Sequence, residues 1–179
     1  LGAAVSLPAN YKLSGLTYSK KLSEKKRELW AIYIKEQAIA WNLDSEDVNE
    51  IKQLNILHAT MLAMKRAIEG LQTLPEKVWI DGNRIPPDLN LEAEALVKGD
   101  SKMMAISAAS VLAKTARDAE MYALAKRYPQ YGFDKHKGYG TARHIAALEQ
   151  YGILSDHRTG FAPIARLLAE GRFFDKPKV

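Results

Sequence analysis

The chain has 179 residues, 47% hydrophobic and 26% charged, a balance that predicts a packed soluble domain and excludes a disordered polymer. With no cysteine there is no disulfide framework and no thiolate zinc centre, so carboxylates and four histidines are the candidate metal ligands. The net charge of +5 is compatible with a polyanionic partner, while the short apolar runs and the lack of a visible signal segment give the expectation of a cytoplasmic protein with no membrane partner.

In chain order, residues 1–7, LGAAVSL, read as a buried strand ending at Pro8, followed by a loop. Ser23 can cap a helix reaching about Ala40, with Leu29, Ile32, Tyr33 and Ile39 as its apolar face. The stretch IAWNL either prolongs that helix or turns back as a strand. From Asn55 to about Leu71 the spacing of Ile56, Leu57, Met61, Met64 and Ile68 is helical. KVWIDGN predicts a short strand entering an Asp-Gly turn, and AEALVKGD a second strand ending at Asp100. The strongest helix is predicted over 106–128, with Val111, Leu112, Met121 and Leu124 inward and Pro129 just beyond its end. Shorter helices follow over 142–150 and 163–169. No repeat or long linker divides the chain. The alternation of strands and helices predicts one α/β domain over 1–179 with a partly parallel sheet, in which about 142–170 is a helical C-terminal extension and 171–179 a tail.

Two aspartates, Asp100 and Asp118, fence a run of small residues in VKGDSKMMAISAASVLAKTARD. In an open α/β sheet the loops at the carboxyl ends of parallel strands form the usual active-site edge, and Asp81 and Asp100 are both expected there. A helix starting near Met104 carries Asp118 about 20 Å along its axis. The two acids therefore meet only if the chain after Asp100 first leads away and the helix returns. Ala105, Ser107, Ala108, Ala109 and Ser110 give that helix a slim face able to lie close to strands. Taken singly, each acid has a plainer explanation that spacing alone favours: Asp100 as a turn cap, Asp118 as a surface charge beside Lys114, and Asp81 as ordinary Asp-Gly turn chemistry.

The blocks SKKLSEKKRE, LNILHATMLAMKRA, WIDGN, VKGDS, ISAASVLAKTARDAEM, YPQYGFDKHKGYGT and DHRTGF, in this order, resemble bacterial ribonuclease HII from residue 1 to about residue 168. The resemblance implies a ribonuclease H-like mixed sheet flanked by helices. It also implies an endoribonuclease that hydrolyses the RNA strand of RNA/DNA hybrids and cuts at ribonucleotides embedded in duplex DNA, acting as a monomer. The family gathers four carboxylates around Mn2+ or Mg2+, and Asp100 and Asp118 match two of them as catalytic metal ligands. HKGYGT resembles the substrate-recognition block, in which Tyr139 meets the nucleotide at the RNA–DNA junction; without the resemblance, packing at a loop is the simpler role. Lys137, Ser19 and Lys20 are candidates for phosphate contacts that position the duplex without reading its sequence. His136, His144 and His157 lack metal-ligand spacing and are expected to serve as loop, capping or phosphate-contacting residues.

The family's Asp-Glu-x-Gly-Arg-Gly signature does not occur in the 179 residues. The resemblance places that signature on a strand just upstream of residue 1, in the middle of the sheet. Its removal predicts an N-terminally truncated chain with a gap beside the strand ending at Asp81, and weak or absent activity. Tyr18 also stands where the family usually has Asp, and Lys52 where an acid is common. A hybrid-binding protein without catalysis is the rival expectation. A nucleotide-binding switch built on KGDS or GYGT fits poorly, because neither has the spacing of a phosphate-cradling loop.

Overall fold

The computed structural model describes residues 1–9, 16, 21–46, 48–158 and 160–173, with strands and helices alternating through the first part of the chain and helices following. Strand β1 (Gly2–Ser6) pairs antiparallel with β2 (Ala40–Asp44), and β3 (Lys77–Asp81) pairs parallel with β4 (Glu92–Leu96). The helices are α1 (Glu24–Gln37), α2 (Val48–Glu69), α3 (Met104–Arg127), α4 (Phe133–His136), α5 (Ala142–Tyr151) and α6 (Ala162–Ala169). The chain divides into two compact units, Leu1–Glu46 with Leu57–Arg117, and Asp47–Ile56 with Asp118–Val179.

In the first unit, side chains of β1 alternate between two helical layers, as the two-residue period of a strand requires. Ala3 and Val5 pack with Ala31 and Ile34 of α1 and with Ala108, Val111 and Leu112 of α3. Ala4 turns the other way, toward Ala67 and Ile68 of α2. Helix α2 breaks at Asn55, whose φ of 61° lies in the left-handed region that asparagine tolerates better than most residues. Beyond the break Ala59, Ala63 and Ala67 form a fully buried stripe of small residues. That stripe brings the backbone of α2 so near β1 that a Cβ on Gly2 would lie 2.6 Å from the Ala63 carbonyl carbon.

Among the described residues β1 pairs only with β2 and β3 only with β4. Between β1 and β3 lies a cavity of about 380 Å³, lined by both strands, by Met64 and Ile68, and by Ala105, Ala109 and Ala113 of α3. The slim face of α3 borders it, with alanines at i, i+4 and i+8 lying one above another along the helix.

Three expectations need correction. Helix α1, expected to reach about Ala40, ends at Gln37 with Ala38 already extended, and of the two courses open to IAWNL the strand is taken, as β2 from Ala40. The face named for α1 is the wrong one: Leu29 and Ile32 are 61% and 58% exposed, Tyr33 is also exposed, and Ile39 lies past the helix. At 100° per residue, Trp30, Ala31 and Ile34 point about 150° away from Leu29, Ile32 and Tyr33, and this second set faces the core. The strand expected to end at Asp100 stops at Leu96; Lys98 adopts a left-handed backbone, and Gly99–Ser101 form a 3-10 turn.

The second unit builds its core from Met121 of α3, from Tyr128, Tyr131 and Phe133, from Ala147 and Leu148 of α5, and from Ile164 and Leu167 of α6. Pro129 starts a 3-10 turn directly after α3, where its fixed φ is compatible and its missing N–H costs no helical bond. Gly132 then turns the chain with φ 73°.

Candidate active site

Asp81 closes β3, and because β3 and β4 are parallel its side chain reaches the chain leaving β4 at the same edge. Its Oδ1 accepts the Gly99 N–H at 2.8 Å, while the Gly82 N–H donates to the Leu96 carbonyl at 3.0 Å. The turn at Gly99–Ser101 is closed further by Ser101 and Lys102 N–H groups donating to Lys98 and Gly99 carbonyls. Gly99 is buried so tightly that an added Cβ would meet the Ile106 Cδ1 at 2.6 Å. Asp100 therefore sits, half-buried, on a turn fixed from both sides at the carboxyl edge of a parallel strand pair. The turn chemistry expected of Asp81 thus has a definite object, its hydrogen bond to the turn that carries Asp100.

Asp118 lies inside α3 and is only 4% exposed. An ionised carboxylate buried to that degree is costly unless it is partnered, and Asp118 does make polar interactions in the fold. Asp100 belongs to the first compact unit and Asp118 opens the second stretch of the other. Both offer oxygen donors, the type that magnesium and manganese take. Among the described residues no group of three or more His, Cys, Asp or Glu is arranged to hold a metal ion.

The HKGYGT segment is held by the second unit. Lys137 is left-handed at φ 51°, and Gly138 follows at φ 81°. The Tyr139 N–H donates to the His136 carbonyl at 2.8 Å, and the Tyr139 carbonyl accepts the Thr141 N–H at 2.8 Å. Thr141 caps α5 through its hydroxyl, which accepts the His144 N–H at 3.3 Å. Gly140 lies against Phe161, whose ring would be 2.5 Å from an added Cβ. The consequence is an ordered turn from which the Tyr139 side chain projects, 69% exposed. The Lys137 ammonium lies over the Tyr122 ring, 3.2 Å from its centroid. Ser19 and Lys20 lie outside the described residues.

Sequence reading allowed the histidines a phosphate-contacting role; the structure corrects this, because His136, His144 and His157 are all buried. Their rings stack, His136 on His144 at 4.3 Å and His144 on His157 at 5.4 Å, and Phe133 packs 5.6 Å from each of the three. His136 Nε2 donates to the Tyr131 carbonyl at 2.7 Å, and its Nδ1 accepts the Gly138 N–H at 3.2 Å. Burial pushes His157 down to about 4, with the neighbouring His144 adding to the effect, and burial also lowers His144. Tyr131, whose hydroxyl donates to the Gly152 carbonyl at 2.8 Å, is raised to about 12, chiefly by burial. No spacing signal marks these side chains, because their partners are mostly backbone atoms.

A family model described as Ribonuclease HII matches residues 3–164. The Ribonuclease HII of Neisseria meningitidis serogroup A is 66% identical over 172 residues, covering 96% of this chain and 89% of that protein. The Ribonuclease HII of Chromobacterium violaceum is 56% identical over 167 residues, covering 93% and 84%. Among solved structures, ribonuclease H2 from Pyrococcus horikoshii superposes with a TM-score of 0.74 at 18% identity, covering 94% of this chain and 93% of that one. The PCNA:RNase HII complex from Archaeoglobus fulgidus gives 0.69 at 20% identity, covering 92% and 86%. These two are likenesses of fold.

Proposed function

The chain belongs to the ribonuclease HII family, and from that premise we propose that it carries the substrate-handling and part of the metal-binding machinery for hydrolysing the RNA strand of RNA/DNA hybrids and for cutting at a ribonucleotide embedded in duplex DNA. The observation that carries the reading is the Asp81–Gly99 hydrogen bond of 2.8 Å, which fixes the Asp100 turn at the edge where α/β enzymes place their chemistry. Asp100 and Asp118 are the residues of this chain that would hold magnesium or manganese. Divalent ions, when bound, neutralise a phosphodiester and stabilise both the attacking and the departing oxygen of an in-line displacement by water. The family resemblance assigns two further carboxylates to an Asp-Glu-x-Gly-Arg-Gly motif that the 179 residues do not contain.

Tyr139 offers a ring that can stack on the sugar or base of the junction nucleotide, while RNA is told from DNA by a contact to the 2′-hydroxyl. Lys137, with Ser19 and Lys20, would hold phosphates and fix the position of the duplex. None of these contacts reads a base sequence, which suits an enzyme that recognises a sugar.

A second reading, hybrid binding without cleavage, draws on the exposed Tyr139 ring and the adjacent Lys137, which could meet a duplex without any metal. One experiment separates the two. The 179-residue chain, the same chain preceded by an Asp-Glu-x-Gly-Arg-Gly segment, and Asp100→Asn and Asp118→Asn variants of each are incubated with a duplex bearing one ribonucleotide, in magnesium, manganese or chelator. Each asparagine is expected to lower metal-dependent cutting by about 100-fold or more, since an interaction made with the reacting centre is lost. Cutting by the variants at the rate of their parents refutes the two ligand assignments. Hybrid binding by both parents with no cutting by either supports the second reading.

A further inference from the structure

Tyr139 is tied to the second unit by a pair of histidines whose hydrogen bonds can run in one direction only. His157 Nδ1 lies 2.8 Å from the Leu154 N–H, which can only donate, so Nδ1 accepts and the ring proton is on Nε2. That Nε2 is 3.2 Å from the Nε2 of His144, which must then accept, so His144 carries its proton on Nδ1. His144 Nδ1 is 3.0 Å from the Tyr139 carbonyl, which can only accept. From Leu154 through His157 and His144 to Tyr139, every donor meets an acceptor, with one tautomer for each ring and both rings neutral. The same carbonyl also takes the Thr141 N–H, and the Tyr139 N–H is held by His136, so the peptide of an exposed side chain is fixed at both ends.

We propose that His144 and His157 are positioning residues for substrate recognition, fixing the Tyr139 peptide so that its ring is presented to the nucleotide at the RNA–DNA junction. The inference rests on the recognition role given above to Tyr139 and deepens it. Neither histidine is a catalytic residue, because His144 is 2% exposed and His157 7%. Packing alone does not account for them: a phenylalanine would fill the same space without the cost of burying two polar rings. What the imidazoles add is a directed chain of hydrogen bonds, and it ends on the loop.

Two measurements on the 179-residue chain test this. Side-chain 15N spectra are expected to show the Nε2–H tautomer for His157 and the Nδ1–H tautomer for His144; the reverse tautomer on either ring overturns the relay. Binding of a fluorescent duplex containing one ribonucleotide is then compared for His144→Asn, His144→Phe, Tyr139→Ala and the double variant His144→Phe with Tyr139→Ala. Asparagine keeps an N–H near the Nδ1 position and is expected to bind within about twofold of the parent, whereas phenylalanine loses about tenfold. In the Tyr139→Ala background phenylalanine is expected to cost nothing more, because the two positions act as one. Equal losses for asparagine and phenylalanine, or a full tenfold loss in the Tyr139→Ala background, reduce the histidines to packing and overturn the proposal. Should His144→Phe fail to fold, His157→Phe repeats the comparison one step further from the loop, with the same outcomes. If Tyr139→Ala binds like the parent, the recognition role of Tyr139 falls and the proposal with it, while the 15N spectra report separately whether the relay exists.

Discussion

His157 sits where a second ring proton is disfavoured: its Nδ1 lone pair is taken by the Leu154 N–H and its Nε2–H is directed at His144. The rings facing it are His144, Tyr131 and Phe133, with His136 one stacked ring beyond. Burial, reinforced by His144, holds its folded pKa near 4, whereas an imidazole in an unfolded chain titrates near ~6.5. Between those values the unfolded chain takes up a proton that the folded chain refuses. This contribution to stability is therefore complete above about pH 6.5, falls as the pH drops toward 4, and changes no further below it. The span corresponds to roughly 3 kcal/mol for His157. His157→Phe, which does not titrate, is expected to flatten the fall in unfolding free energy between pH 7 and pH 5 measured by urea titration. A slope equal to that of the parent would assign the acid sensitivity to other groups.

At the scale of elements, the approach of β1 to α2 depends on having no side chain at Gly2 and only methyl groups at Ala59, Ala63 and Ala67. A methyl on Gly2 meets backbone at 2.6 Å, and backbone cannot swing aside as the end of a side chain can. Gly2→Ala is expected to destabilise the chain by about 1–3 kcal/mol, read as a lower urea midpoint; an unchanged midpoint would mean that strand and helix separate freely. The elements legible in the sequence are those whose local signals agree. LGAAVSL with its proline, the long helix stopped by Pro129 and the Thr141-capped helix all form close to their expected bounds. The face of α1 was not legible, because Leu29, Ile32 and Tyr33 have the residue types of a core face while the smaller Ala31 allows the closer packing. The end of β4 was missed because Lys98 in a left-handed conformation leaves no mark that residue type can show. The placing of Asp100 at the carboxyl edge of the strand pair was legible from the strand pattern. The histidine relay was not, since it joins residues 13 positions apart across a turn and ends on a backbone carbonyl.

For the molecule as a whole, 26 basic against 21 acidic residues leave a net charge of +5, enough to attract a polyphosphate at long range but unable to say where it lies. Salt dependence separates bulk attraction from contact, because each phosphate neutralised adds about 0.9 to the slope of log affinity against log salt. Lys137 is the basic residue next to the presented tyrosine loop, and its ammonium rests on the Tyr122 ring at 3.2 Å. Such a contact is worth on the order of 0.5–2 kcal/mol and limits the wandering of a long flexible side chain, so the charge is held beside the Tyr139 turn. If Lys137 meets a phosphate, Lys137→Ala should weaken duplex binding, lower the salt slope by about 1, and leave the preference for a ribonucleotide over an all-DNA duplex unchanged. Tyr139→Ala should do the reverse, losing the preference while keeping the slope. The two readouts are independent, because the slope counts phosphates and the preference reports contact at the sugar. A Lys137→Ala chain with the parent's slope would return this lysine to packing on Tyr122 and leave Ser19 and Lys20 as the residues to test for contact with the phosphate backbone.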